Sequence, residues 1–358
     1  MKLMLPEAPL PSGLNAKPKA KKNESGKKQT LRLKKFHSPR QKRRIFGREL
    51  QNQGRLKPKE KGTPSTQNST PSVGDDSGLS IVLAERRDPQ KVEAYQARIA
   101  KFLAVREVSQ RAKYGYLKKQ KDLNAKMRGI LVDWLVDVSL KFKSLPLTLF
   151  GTINLLDRYL ERTQVKRGRL QLVGIACLMI MSKFEEIYPP SIQDYFQVCD
   201  KAYSHEELLD AEADVLSVLQ FDIAVTPSIV FYENALAKVE MPPKPGCFGR
   251  YLLETALLDC HALKFKSREM AAGALFLVNK IFKCGKDWSK DLAGQFEGLK
   301  ESKVKSAANW LFKILSTVSD LGFSAVKRKF ATVENYEVSK YKIERASRKG
   351  KKKSKKSA

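Results

Sequence analysis

From about Asp88 to Thr317, apolar positions recur every three to four residues, the spacing of a helix that buries one face. Strand-type alternation and Asn-Gly hairpin signals are missing from this stretch, so the pattern predicts an all-α fold. Breaks divide it. Pro146, Pro189-Pro190, Thr226-Pro227 and the MPPKPG run at 241–246 each interrupt the periodicity. Thr226-Pro227-Ser228 reads as an N-cap followed by a first turn, which predicts a helix start there. Two segments of similar length result, 125–222 and 226–320, each long enough for about five helices. They share a faint echo. Ala176 to Lys183 and Gly273 to Lys280 are both apolar helical runs with small residues, as the central helix of each repeat requires.

Residues 1 to about 85 lack any sustained apolar period and are rich in Lys, Pro, Ser, Gly, Gln and Asn, a composition that predicts disorder. Of the formal +30 charge, +13 lies in residues 1–80 and +10 in residues 323–358, leaving only +7 for the predicted folded part. The basic excess therefore belongs to the ends, and the core is not an obvious nucleic-acid platform. No apolar run reaches the ~18 residues of a membrane span, and MKLMLPEAPLPSG is too short and too broken by prolines for a secretory signal. Cys177, Cys199, Cys247, Cys260 and Cys284 form no CxxC pair, which predicts reduced thiols in cytosol or nucleus. Cys260 and His261 adjoin without further ligands at metal spacing, so no metal and no cofactor are expected.

Two stretches stand out chemically. In Met127 to Val138, the residues Met127, Ile130, Leu131, Trp134 and Val138 share one helical stripe and Leu135 widens it, which suits a core helix or a surface groove. In Arg167 to Pro190, an apolar helix ends at a charged, aromatic, proline-stopped tip. Glu185 and Glu186 are adjacent there, so a helix points them about 100° apart and they make a poor acid/base pair. Lys183 closes the apolar run where snorkelling alone would suffice.

Together these stretches resemble the cyclin box, most closely that of A/B-type mitotic cyclins and, through Ala325-Val326-Lys327-Arg328-Lys329-Phe330, B-type members. The resemblance runs from about Asp88 to Ser339 and is densest from Gly115 to Thr226. Gly115-Tyr116-Leu117-Lys118-Lys119-Gln120, Asn154 to Leu160 and Leu219-Gln220-Phe221-Asp222 carry it without gaps. It implies two tandem five-helix repeats after an N-terminal helix, with disordered basic tails. The corresponding parts are a regulatory tail at 1–87, a helix and lead-in at 88–124, boxes at 125–225 and 226–322, and a basic C-terminal tail at 323–358.

The resemblance also implies a role without catalysis. Such a chain binds a cyclin-dependent serine/threonine kinase, favours its active conformation and controls G2/M progression. Lys183 and Glu212 match a charged pair that bonds kinase main chain, and Phe184, Glu185, Glu186, Ile187 and Tyr188 match the strip beside it. Tyr95 and Ile99, four apart on the N-terminal helix, match further kinase contacts. Arg128 and Asp157 match a structural salt bridge. Met127, Ile130, Leu131, Trp134, Asp137 and Gln171 match a patch that docks Arg-x-Leu-type motifs of substrates and inhibitors. Asp137 stands where the family often has Glu, and Lys141 and Lys143 follow, so a weaker preference for basic motifs is expected.

In the tails, Arg43 to Asn52 is the stretch nearest to the destruction box of such cyclins, with Phe46 in place of leucine and Asn52 one place late; it would either engage ubiquitin-ligase machinery or serve as an ordinary basic linker. Ser38-Pro39, Thr63-Pro64 and Thr70-Pro71 are minimal proline-directed phosphorylation sites. Lys17 to Lys22, Lys42-Arg43-Arg44 and Arg348 to Lys356 suit nuclear import receptors, so nucleus and cytoplasm are the expected compartments. The rival reading, a cyclin-fold transcription or DNA-binding factor, wants a zinc ribbon before the repeats, and no cysteine precedes Cys177. An enzyme wants a phosphate loop or nucleophile elbow, and none is found.

Overall fold

The structure, a computed structural model, describes residues 95–341 apart from 240, 285–292 and 295. The destruction-box-like segment, the Ser/Thr-Pro sites and the basic clusters all lie outside the described residues.

An N-terminal helix, α1 (Gln96–Ser109), is followed by a 3₁₀ turn at Tyr116–Lys119. The first repeat comprises α2 (Ala125–Phe142), α3 (Pro146–Arg162), α4 (Leu170–Glu185), α5 (Ile192–Val198) and α6 (His205–Val218). The second supplies α7 (Ser228–Leu236), α8 (Pro243–Leu257), α9 (Ser267–Phe282) and α10 (Glu301–Asp320), and a short α11 (Ala325–Lys329) follows. No strand occurs among the described residues.

Local chemistry sets the boundaries. Asn124 caps α2 by accepting from the Met127 amide at 3.0 Å. Ser191 with Asp194, and Ser204 with Glu207, form capping boxes on α5 and α6. Pro146 and Pro243 occupy first-turn positions, where their missing N–H costs nothing. The helix expected at Thr226-Pro227-Ser228 begins at Ser228 with Pro227 as N-cap residue, but the Thr226 hydroxyl is buried without a partner and caps nothing.

Each repeat is built around one apolar helix. In the first, α4 is buried from Leu172 through Ser182 and packs chiefly on α3 and α6. Close approach depends on small residues: a Cβ on Gly174 would stand 3.0 Å from the Leu131 methyls, and one on Gly151 would lie 2.3 Å from the Met181 methyl. In the second repeat α9 takes the same part, flanked by α10, α7 and α8, and a Cβ on Gly273 would lie 2.8 Å from that of Ala307. The two echoing segments are thus the matched centres of the two repeats.

The basic character of residues 323–358 suggested a tail beginning at 323, but packing continues to Tyr341. Phe323, Ala325, Val326, Phe330 and Val338 are buried, and Lys329 donates to the buried Glu254 carboxylate at 2.6 and 2.8 Å. Charge counting misplaced the boundary because Lys327, Arg328 and Lys329 hid this apolar spacing.

Candidate functional site

The α4 tip is the most exposed apolar feature of the first repeat. Past Ser182 the helix leaves the core, and Ile187 and Tyr188 are 86% and 91% exposed beside a part-exposed Phe184. Lys183, in the last turn of α4, donates from Nζ to both Glu212 oxygens of α6 at 2.7 Å. The lysine side chain is 52% exposed and the glutamate 10%, so the pair offers an ammonium to solvent over an almost sheltered carboxylate. Leu209, one turn before Glu212 and on the same face, is exposed too. Sequence reading missed Leu209, although its spacing from Glu212 was available.

The acidic neighbours divide. Burial, then the adjacent Glu186 charge, raises the Glu185 carboxyl above its ordinary value. Glu186 Oε1 accepts from the Leu145 amide at 2.8 Å and from the Thr148 hydroxyl at 2.6 Å. It therefore caps α3, whose own N-cap residue, Leu145, has no capping oxygen. A helix start at Leu-Pro was the available signal that a cap must come from elsewhere.

On α1, Tyr95 and Ile99 are exposed, and Phe102 extends their stripe by one turn. Polar ties hold this helix down. Asp222 Oδ1 accepts from Arg106 at 2.8 Å and from Gln110 at 2.9 Å, and its other oxygen accepts from Arg158 of α3 at 3.0 Å. Asn154 donates to the Gln110 carbonyl at 2.8 Å, and buried Glu107 accepts the Arg268 amide at 2.9 Å. Asp222 follows the helix that carries Glu212, so one element fixes both the charged pair and the anchor of α1.

Arg128 and Asp157 are 3% and 4% exposed and form a two-pronged ion pair at 2.6 and 2.7 Å. Tyr116 donates to Asp157 at 2.7 Å, and Arg128 donates to the Leu257 carbonyl at 2.8 Å. Burial opposes charge on Arg128, but the Asp157 carboxylate and its hydrogen bonds outweigh it and hold the guanidinium above its ordinary range. The cluster joins the first repeat to α8 of the second.

The α2 stripe is split by depth. Leu131 and Trp134 are buried, whereas Ile130 is exposed and Met127 and Gln171 are half-buried. Its acidic end is occupied. Asp137 accepts from Arg328 Nη2 at 2.6 and 2.7 Å, and Asp133 accepts the Ser324 and Ala325 amides at 3.2 and 2.9 Å. Asp137, which the resemblance matches to the docking patch, thus already holds a base from within the chain: α11 lies against α2 and supplies it.

Asp259, Cys260 and His261 place ligand atoms within 4.8 Å of one another. Asp259 Oδ1, however, already accepts from the His261 amide at 2.9 Å and meets His261 Nδ1 at 2.7 Å, closing a 3₁₀ turn.

The features define a two-repeat helical module with an exposed apolar tip and a charged pair at the end of its first central helix. The chain belongs to the cyclin family. Residues 98–224 match the family's "Cyclin, N-terminal domain" and residues 229–344 its "Cyclin, C-terminal domain". The Putative cyclin-A3-1 of Arabidopsis thaliana is 34% identical over 249 residues, covering 68% of this chain and 70% of that protein. The G2/mitotic-specific cyclin cdc13 of Schizosaccharomyces pombe is 36% identical over 231 residues, 63% of this chain and 47% of that protein. Cyclin-A1-1 of Arabidopsis thaliana is 33% identical over 251 residues, 68% of this chain and 54% of that protein. The chain thus spans about half the length of several curated relatives it matches. The crystal structure of a viral cyclin from herpesvirus saimiri shares the fold, with a TM-score of 0.53 at 20% identity over 63% of this chain and 97% of that one.

Proposed function

We propose that this chain is a regulatory subunit that binds and activates a cyclin-dependent serine/threonine kinase at the G2/M transition, in nucleus and cytoplasm, and performs no chemistry itself. The observation that carries this reading is the Lys183–Glu212 pair beside the exposed Phe184, Ile187 and Tyr188. A mostly exposed ammonium over a sheltered carboxylate provides donors and acceptors for main chain of a partner helix end. Apolar side chains around it supply the desolvated surroundings in which such bonds strengthen. Binding one kinase conformation better than the other shifts the population toward it.

Substrate recruitment would fall to Met127, Ile130 and Gln171 on the α2–α4 face, with Arg328 moderating its taste for basic residues. Contacts with ubiquitin-ligase machinery and import receptors would reside in the tails.

The test is kinase activity toward a Ser-Pro peptide after mixing the full chain with inactive, monomeric kinase. Activation is expected, and the Lys183→Ala/Glu212→Ala variant should lose it while keeping its helical content. A folded double variant that activates fully would overturn the assignment of these two residues. A wild-type chain that binds no kinase of its host would overturn the function itself.

A further inference from the structure

One concave site is left over. A cleft of about 800 Å³ opens where the turn after α1, the C-terminal end of α3 and the 3₁₀ turn at Cys260–Lys264 meet. Six cations line it: Arg111, Lys113, Lys119, Arg158, Arg162 and Lys264. Glu161 is the one carboxylate in the lining, and its Oε2 accepts the Lys113 amide at 3.1 Å. Of the six, only Arg158 has an ion-pair partner among the described residues, Asp222 at 3.0 Å.

The arginines are fixed rather than loose. Arg158 donates to the Asp222 carbonyl at 2.8 Å, Arg162 to the Val218 carbonyl at 2.8 Å and Arg111 to the Leu263 carbonyl. Each guanidinium keeps further N–H groups beyond these bonds. The Lys264 ammonium stands 4.8 Å over the Tyr114 ring. The crowding of like charge is felt inside the wall: burial, and after it the neighbouring Arg162 and Arg106, depress Arg158 against the pull of Asp222. A cleft with this lining holds a positive potential that a dianion would relieve.

We propose that this cleft is a binding site for a phosphorylated serine or threonine on a partner peptide. Cations from three separate elements converge on a concavity, the arrangement suited to one compact dianion and its flanking residues. A nucleic-acid surface would instead run its cations along a stripe and interleave open aromatic platforms. Here Tyr114 is the aromatic side chain of the lining, and Lys264 covers its ring. The position leaves the α4 tip free. Gly151 of α3 faces Met181 of α4 and Thr148 meets Glu186, so the two helices run antiparallel. Arg162 therefore lies about 20 Å along α3 from Thr148, at the opposite end from Lys183, at ~1.5 Å per residue. The inference does not depend on kinase activation, because binding is measured on this chain alone.

The experiment uses the full chain at near-physiological salt, so that attraction to its many other cations is screened. A fluorescein-labelled Gly/Ser peptide with one phosphothreonine, and its unphosphorylated counterpart, are titrated by anisotropy. The phosphorylated peptide is expected to bind about tenfold tighter or better. Lys113→Gln/Lys119→Gln/Lys264→Gln should erase most of that gap. Lys280→Gln/Lys303→Gln/Lys313→Gln, which removes equal charge outside the cleft, should preserve it. Circular dichroism confirms that both variants fold. Equal binding of the two peptides, or equal loss in both variants, would overturn the proposal in favour of diffuse charge attraction. Inorganic phosphate competing as well as the phosphopeptide would overturn the peptide part. A short DNA duplex that binds tighter, and loses its affinity in the cleft variant alone, would overturn it in favour of nucleic acid.

Discussion

Arg128 and Asp157 show how one pair can hold two repeats. With both side chains out of water, loss of the arginine strands a carboxylate whose remaining partner is the Tyr116 hydroxyl. Arg128→Ala is expected to cost ~3–5 kcal/mol in urea unfolding. A loss below ~1 kcal/mol would show that water reaches Asp157 and relieves it. Arg328 acts at the surface and more weakly. Its ion pair with Asp137 is more than half exposed on the arginine side, so removing it changes little in stability. Arg328→Ala should instead raise the affinity of an Arg-x-Leu peptide about two- to fivefold, by releasing Asp137. Unchanged affinity in a fluorescence titration would mean that Asp137 takes no part in docking. Arg128 and Asp157 could be singled out from sequence through the family resemblance, whereas Arg328 could not, because 191 residues separate it from Asp137.

At the scale of elements, α1 is the segment held mainly by polar ties. Glu107 is the buried one, and burial lifts its carboxyl above the ordinary 4.5, against the pull of the Arg268 amide and nearby cations. A raised carboxyl binds its proton more tightly in the folded state. Stability from this group is therefore present at low pH and declines as pH rises from 4.5 through the raised value. Glu107→Gln keeps an acceptor for the Arg268 amide and should flatten this decline in a pH series of unfolding curves. An unaltered slope would contradict the assignment. Asp222 ties the same helix to α3 and α6. Asp222→Ala should lower hydrogen-exchange protection in α1 while leaving α4 protected, and equal loss in both helices would show that α1 is held by something else.

For the molecule, each repeat depends on a central helix approached at contact distance. A Cβ on Gly273 would stand 2.9 Å from the Ala308 backbone nitrogen, which cannot swing aside. Gly273→Val is expected to destabilise the fold by ~1–3 kcal/mol through overpacking, read as a lowered urea midpoint. The same logic places the outward-facing groups. Because α4 and α9 absorb the apolar residues of both repeats, what remains exposed and apolar at the α4 tip has no internal partner and is available to another chain.

Apolar spacing, proline punctuation and the capping residues determined the helices, since those signals act within a few residues of one another. The run to Lys183 and the residues of the α2 stripe were legible for the same reason, whereas Tyr95 and Ile99 were singled out only through the family resemblance. Tertiary structure alone decided which polar groups were already engaged. Glu186, matched by the resemblance to the strip beside Lys183, also caps α3, and Asp137, matched to the docking patch, holds Arg328. The basic cleft is likewise absent from the linear charge pattern, because its cations come from three elements far apart in the chain. Hydrogen bonding and electrostatic convergence depend on distance in space, and a linear pattern carries that information only for residues that are neighbours along the chain.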